Sequence, residues 1–171
     1  MAALPGALRR CSWLVWLATR RTNIASNTLT GGTWRSVGNG STLTLNSTNV
    51  IASNAAEIVI DGVGSVWRTQ HPTPSVFTTI DSSLSNNTAA GTLRVLGNRN
   101  FTAAANSGNF ANSGVLELGG GTFSAASLVN NQGAVGSQIF GFGTVATPRS
   151  LSGLGIVGCK STAAVYFSPL S

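Results

Sequence analysis

The chain has 171 residues, of which 42% are hydrophobic and only 8% charged, with a net charge of +6. The apolar share is enough for a folded core. The charged share lies far below the ~25% of ordinary globular domains and excludes a charged helical bundle, a coiled coil and most acid–base or metal-rich active sites. Gly, Ser, Thr and Asn fill the gap, which points to a β-rich chain with many turns.

Residues 1–22 read as a leader or capping segment. Cys11 to Ala18 is an almost apolar run of eight, broken by Ser12, between the pairs Arg9-Arg10 and Arg20-Arg21. A spanning helix needs ~20 apolar residues, so no transmembrane span is expected. Arg9-Arg10 is similar to a twin-arginine signal, but the run is short and a second arginine pair follows it. These four arginines also account for most of the net charge: residues 22–171 carry six positive side chains against four acids. With no basic stripe and no aromatic RNA-binding pattern, nucleic-acid binding is not expected. Cys11 and Cys159 are too isolated for a disulfide framework.

Residues 23–148 read as one repetitive body. From Thr28 the chain turns to short period-2 runs between Gly, Asn and Ser punctuation, the pattern of half-buried strands. Predicted strands are Ser41–Leu45, Glu57–Asp61, Val76–Ile80, Thr92–Leu96, Val115–Leu118 and Gln138–Phe142. Shorter ones are Thr33–Val37, Val63–Arg68, Gly121–Ser124 and Ser127–Val129. The main starts at 41, 57, 76, 92, 115 and 138 are 16 to 23 residues apart, a solenoid spacing. The expected fold is therefore all-β, a single-stranded right-handed parallel β-helix of roughly six rungs, with an irregular tail over residues 149–171.

That architecture explains the composition. Leu43, Leu45, Ile58, Ile60, Leu93, Val95, Leu116, Leu118 and Ile139 are the predicted inward positions. Equivalent residues on adjacent rungs lie ~4.8 Å apart, where two like charges repel by roughly 0.9 kcal/mol even in water. Neutral Ser, Thr and Asn ladders carry no such cost. Arg94 and Glu117, 23 positions apart, are expected to face outward one rung apart as a cross-rung ion pair.

No chemical motif stands above this background. Gly153-Leu-Gly155-Ile-Val-Gly158 spells a dinucleotide fingerprint but lacks room for the helix that must follow. Glu57 and Asp61 on one strand would be ~13 Å apart at Cα, too far for a glycosidase dyad. Asp61 and Asp81, with Arg68 in reach, are the weak candidate for a polysaccharide lyase or hydrolase. No cofactor and no metal are expected. Two prolines at His71–Pro74 mark a loop leaving the coil, and Trp67, Arg68 and His71 beside it are the candidate surface contacts.

Leu29–Trp34 (LTGGTW), Asn54–Gly62 (NAAEIVIDG), Thr92–Ala103 (TLRVLGNRNFTA) and Asn109–Phe123 (NFANSGVLELGGGTF) resemble the degenerate repeats of large secreted bacterial β-helix surface proteins. These are the autotransporter-passenger and filamentous-haemagglutinin-like, adhesin-like proteins. The resemblance covers residues 28–147, about 70% of the chain. It implies export to the bacterial cell surface or the medium, a structural or adhesive role, and cell-surface glycans or proteins as partners. The chain is far shorter than those relatives and reads as a fragment. Open solenoid ends are expected to self-associate through unpaired edges. The rival readings are a carbohydrate-active enzyme on the same fold and a lectin-like antiparallel β-sandwich.

Overall fold

The computed structural model describes residues 23–47, 49–70, 76–131 and 137–147, together with the strand backbones of Ser150–Ser152, Ile156–Gly158 and Val165–Ser168. The first rung opens with β1 (Ile24–Ala25), which folds back antiparallel on β2 (Thr28–Leu29), and continues through β3 (Thr33–Val37) and β4 (Thr42–Asn46). The second contains β5 (Ser53–Asn54), β6 (Glu57–Asp61) and β7 (Val66–Gln70). A detour then carries β8 (Phe77–Thr79), antiparallel to β7, and the single helical turn α1 (Ile80–Ser83). The third rung is β9 (Asn86–Asn87), β10 (Thr92–Leu96) and β11 (Phe101–Ala103). The fourth is β12 (Asn109–Asn112) and β13 (Val115–Ala125), and the fifth β14 (Ser127–Asn130) and β15 (Gln138–Ala146). β16 (Ser150–Ser152), β17 (Ile156–Gly158) and β18 (Val165–Ser168) make the sixth.

Equivalent strands stack in parallel register. The middle sheet runs β17-β15-β13-β10-β6-β3, and the first sheet β1-β2-β5-β9-β12-β14-β16. The third face is built in two pieces: β4 and β7 at one end, and β11, the second half of β13, the second half of β15 and β18 at the other. The protein is thus a parallel β-solenoid, of which about four turns stack on all three faces. The one step that does not is from the second rung to the third, where β8 and α1 close off β7 and β11 starts a new third face.

Alternation along each strand explains why the coil closes around a core. Residues in β10 and in the first half of β13 alternate between half-buried and fully buried. Register therefore piles Ile58, Leu93, Leu116 and Ile139 in one column and Ile60, Val95 and Leu118 in the next, all at most 2% exposed. Burying each such side chain contributes about 1.5–3 kcal/mol. At the third-face end the column is aromatic: Phe101 stacks on Phe123, with ring centroids 5.2 Å apart and planes 2° from parallel, and Phe110 meets Phe123 edge-on.

The corners need backbone that L side chains avoid. Between middle and third faces the chain turns at Gly38, Gly62, Gly97 and Gly120, all with positive φ, where glycine carries no Cβ penalty. Gly62 is also sterically required, because a Cβ there would sit 2.8 Å from the Gly38 carbonyl carbon on the rung before.

Several expectations are corrected. Val76–Ile80 is not a rung: Phe77–Thr79 pairs antiparallel with β7, and Ile80 begins a helical turn. The middle-face strands start instead at 33, 57, 92, 115, 138 and 156. Gly119-Gly120-Gly121 is not a break between strands, because β13 runs through it, with a register irregularity against β15 between Gly119 and Thr122. Leu43 and Leu45 are only half-buried and pack on the rim of the core. Residues expected to form an irregular tail contribute the parallel strands β16, β17 and β18. The antiparallel sandwich does not fit, since stacked rungs pair in parallel. The leader at residues 1–22 lies outside the described residues.

Candidate binding surface

The interior of the first corner carries the most regular polar array. Asn54, Asn87, Asn112 and Asn130 occupy equivalent places on four successive rungs and are at most 1% exposed. Each side-chain amide donates to the next carbonyl oxygen: Asn54 to Asn87 at 2.9 Å, Asn87 to Asn112 at 2.8 Å and Asn112 to Asn130 at 2.7 Å. The same Nδ2 atoms donate to the backbone carbonyls of Thr92, Val115 and Gln138. Asn54 Oδ1, at the start, accepts from the Ala56 amide, and Asn130 Nδ2 finds no hydrogen-bond partner among the described residues. Buried carboxamides satisfied in this way stitch rung to rung. They are structural and do not open to a ligand. The Asn before each of β6, β10, β13 and β15 is their sequence signal, legible only as a turn former until the register is known.

On the outer middle face, Arg94 and Glu117 are direct register partners. Arg94 Nη1 lies 2.8 Å from Glu117 Oε2, and Arg94 Nε lies 3.0 Å from Glu57 Oε1 on the other side, without hydrogen-bond alignment. Thr33 Oγ1 donates to Glu57 Oε2, so the ladder spans four rungs. One arginine thereby separates two carboxylates that lie on either side of it in the stack.

Asp81 is held differently. It sits in α1, and both of its carboxylate oxygens accept from Arg99 Nη2, at 2.9 and 2.8 Å. Arg99 Nε donates to the Ser65 carbonyl on the second rung, so this arginine ties the detour to the stack. Burial pushes the Asp81 carboxyl above its ordinary value, with Arg99 acting against that push. Sequence reasoning missed Arg99, whose partner is 18 positions away in the detour. The pairing of Asp61 with Asp81 fails because α1 is not a stacked rung, and Arg68 turns elsewhere. Among the described residues no group of three or more His, Cys, Asp or Glu side chains could hold a metal ion.

The three predicted contact residues separate. Trp67 is corrected: it points inward, 1% exposed, a core residue opposite Leu43. Its neighbour Arg68 points outward, as the alternation of β7 requires. Arg68 Nε donates to Thr44 Oγ1 at 3.0 Å, and its guanidinium carbon lies 3.9 Å from the centroid of Phe77. His71 lies outside the described residues. Phe77, which sequence reasoning placed on a rung, is the exposed aromatic of this face.

Comparison with protein-family models, with curated proteins and with solved structures finds no match to the chain. No described helix is long and apolar enough to cross a membrane.

Proposed function

We propose that the chain is a non-enzymatic structural or adhesive module of an exported bacterial surface protein, a rigid scaffold that presents its outer faces to other surfaces. The observation that carries this reading is the disposition of charge on the stacked parallel rungs. Glu57 and Glu117 are taken up by Arg94, and Asp81 by Arg99. Three of the four acids therefore serve cohesion of the coil, and the exposed strand positions mix hydroxyls and amides, as at Thr33, Thr42, Asn46 and Thr102, with single apolar side chains, as at Val37, Phe77, Val129 and Phe142. A surface of this kind binds through many weak polar and apolar contacts spread along a face, which suits adhesion more than turnover.

The test is to coat beads with the chain and measure both retention on bacterial and epithelial cell layers and the release of reducing ends from a panel of plant and microbial polysaccharides. Retention above uncoated beads, with no release of reducing ends, is the expected result. Time-dependent release of reducing ends would replace this reading with that of a polysaccharide-active enzyme.

A further inference from the structure

The third face of the first two rungs bears a cation that is held in place and lacks a counter-charge. Register on the β4-β7-β8 sheet puts Thr44, Arg68 and Thr79 in one outward row and Asn46, Gln70 and Phe77 in the next. Arg68 is fixed at two points, by its Nε donation to Thr44 Oγ1 and by the Phe77 ring beneath its plane. Neither contact uses the two terminal nitrogens, which make no hydrogen bond among the described residues. Arg94 and Arg99 each face a carboxylate, whereas Arg68 and the exposed Arg35 of β3 have no ion-pair partner among the described residues; of these two, Arg68 is the one held by a hydroxyl and an aromatic ring. The rows around it carry no acid.

A planar fork with its outer edge open matches a carboxylate in bidentate fashion. Because Thr44 and Phe77 already order the side chain, little rotamer entropy is lost when a ligand arrives. The neighbouring Asn46 and Gln70 carboxamides offer hydrogen bonds that sugar hydroxyls can take up, while the Thr44 hydroxyl accepts from Arg68 and the Thr79 hydroxyl donates to Ser82. Phe77, 43% exposed, adds an apolar patch for ring C–H groups.

We propose that Arg68, ordered by Thr44 and Phe77, anchors a carboxylated polysaccharide across the β4-β7-β8 face, its terminal nitrogens forking one uronate carboxylate. One such contact is weak. A polymer engaging many immobilised copies of the chain gains avidity without any new contact. This inference rests on the adhesive reading above and names its ligand class.

The experiment measures binding of the full chain by affinity electrophoresis and calorimetry to polygalacturonate, dextran sulfate, neutral dextran and duplex DNA. Polygalacturonate is expected to bind, neutral dextran not to bind, and Arg68→Gln to weaken the polygalacturonate affinity about tenfold, the scale of a lost charge-assisted hydrogen-bond pair. A variant with Arg9, Arg10, Arg20 and Arg21 all changed to Gln is expected to stay within about twofold, which separates this face from general polyanion attraction. Arg68→Lys keeps the charge but not the fork, and is expected to recover only part of the loss. It also serves where Arg68→Gln does not fold.

Equal binding of dextran sulfate with the same Arg68 dependence overturns the carboxylate assignment. Tighter, Arg68-dependent binding of DNA overturns the glycan class, and loss in the four-arginine variant but not in Arg68→Gln overturns the site. Cell retention that survives Arg68→Gln unchanged overturns this inference and leaves the adhesive reading standing. Absence of retention by every form overturns that reading itself.

Discussion

Asn87 donates its side-chain amide to Asn112 across 2.8 Å in the sealed interior of the coil, and accepts in turn from Asn54 at 2.9 Å. The two partners lie 25 and 33 positions away in sequence, so this single residue couples three rungs. A buried amide in the middle of such a chain is expensive to remove, because its neighbours keep their desolvated donors and acceptors.

Asn87→Ala strips an acceptor from Asn54, a donor from Asn112 and a donor from the Val115 carbonyl. At ~1–3 kcal/mol for each buried group left unsatisfied, we expect a loss of about 3–5 kcal/mol in urea unfolding. Asn130→Ala removes only the acceptor for Asn112, since its own Nδ2 is already unpaired among the described residues. Its expected cost is about 1–2 kcal/mol. Equal losses at the two positions would show that the ladder is not acting as a chain.

Arg94 neutralises two partly buried carboxylates. Arg94→Gln is expected to cost about 0.5–1 kcal/mol in low salt and progressively less as salt screens the residual repulsion. Guanidine would mask that dependence, so the measurement is urea unfolding at stepped sodium chloride. A cost that does not fall with salt would assign the effect to lost packing.

Asp81 gives the pH dependence its sign. Its carboxyl titrates above 3.8 when folded, chiefly through burial, so between 3.8 and that raised value the folded chain binds more protons than the unfolded one. Stability from this group is present below 3.8 and is lost as pH rises through the window. Asp81→Asn removes that loss while keeping a hydrogen-bonding partner for Arg99. The stability of the variant relative to the parent is therefore expected to rise as pH increases from below 3.8 through that window, when both are followed by urea unfolding. A relative stability that stays flat or falls over that range would contradict the sign.

Close rung contact makes two glycines unequal. At Gly141, with φ of +112°, an added Cβ would fall on the Leu118 carbonyl oxygen of the rung below, whereas at Gly31 nothing lies within 4 Å. Gly141→Ala is expected to cost more than about 3 kcal/mol or to abolish folding. Gly31→Ala is expected to stay within about 0.5 kcal/mol of the parent, or to gain slightly by restricting the unfolded chain. Circular dichroism and thermal unfolding of the pair read both outcomes.

The strands that were legible in sequence are those with clean alternation between turn formers. Glu57–Asp61, Thr92–Leu96 and Thr33–Val37 fall on the observed bounds. Where the chain leaves the stack, local pattern misleads: Val76–Ile80 alternates like a rung strand, yet its partner is the strand just before it, in the opposite sense. Trp67 reads as a loop-side aromatic because of the prolines that follow, but the period of β7 turns it and Thr69 inward and leaves Arg68 outside. The candidate site was visible only as Arg68. Thr44 is 24 positions away and Phe77 reaches it across a hairpin, and no local signal encodes either approach. The asparagine ladder was equally hidden, since its spacing varies between 18 and 33 residues.

That variable spacing has a consequence for how such a molecule can change. Asn54 and Asn87 remain stacked although the chain between them detours through β8 and α1. The fold thus registers height along its axis and is indifferent to the length of chain spent outside it. The detour that holds β8 and α1 leaves the storeys above in place, which makes it a natural graft point where recognition loops can be exchanged while the shaft stays the same.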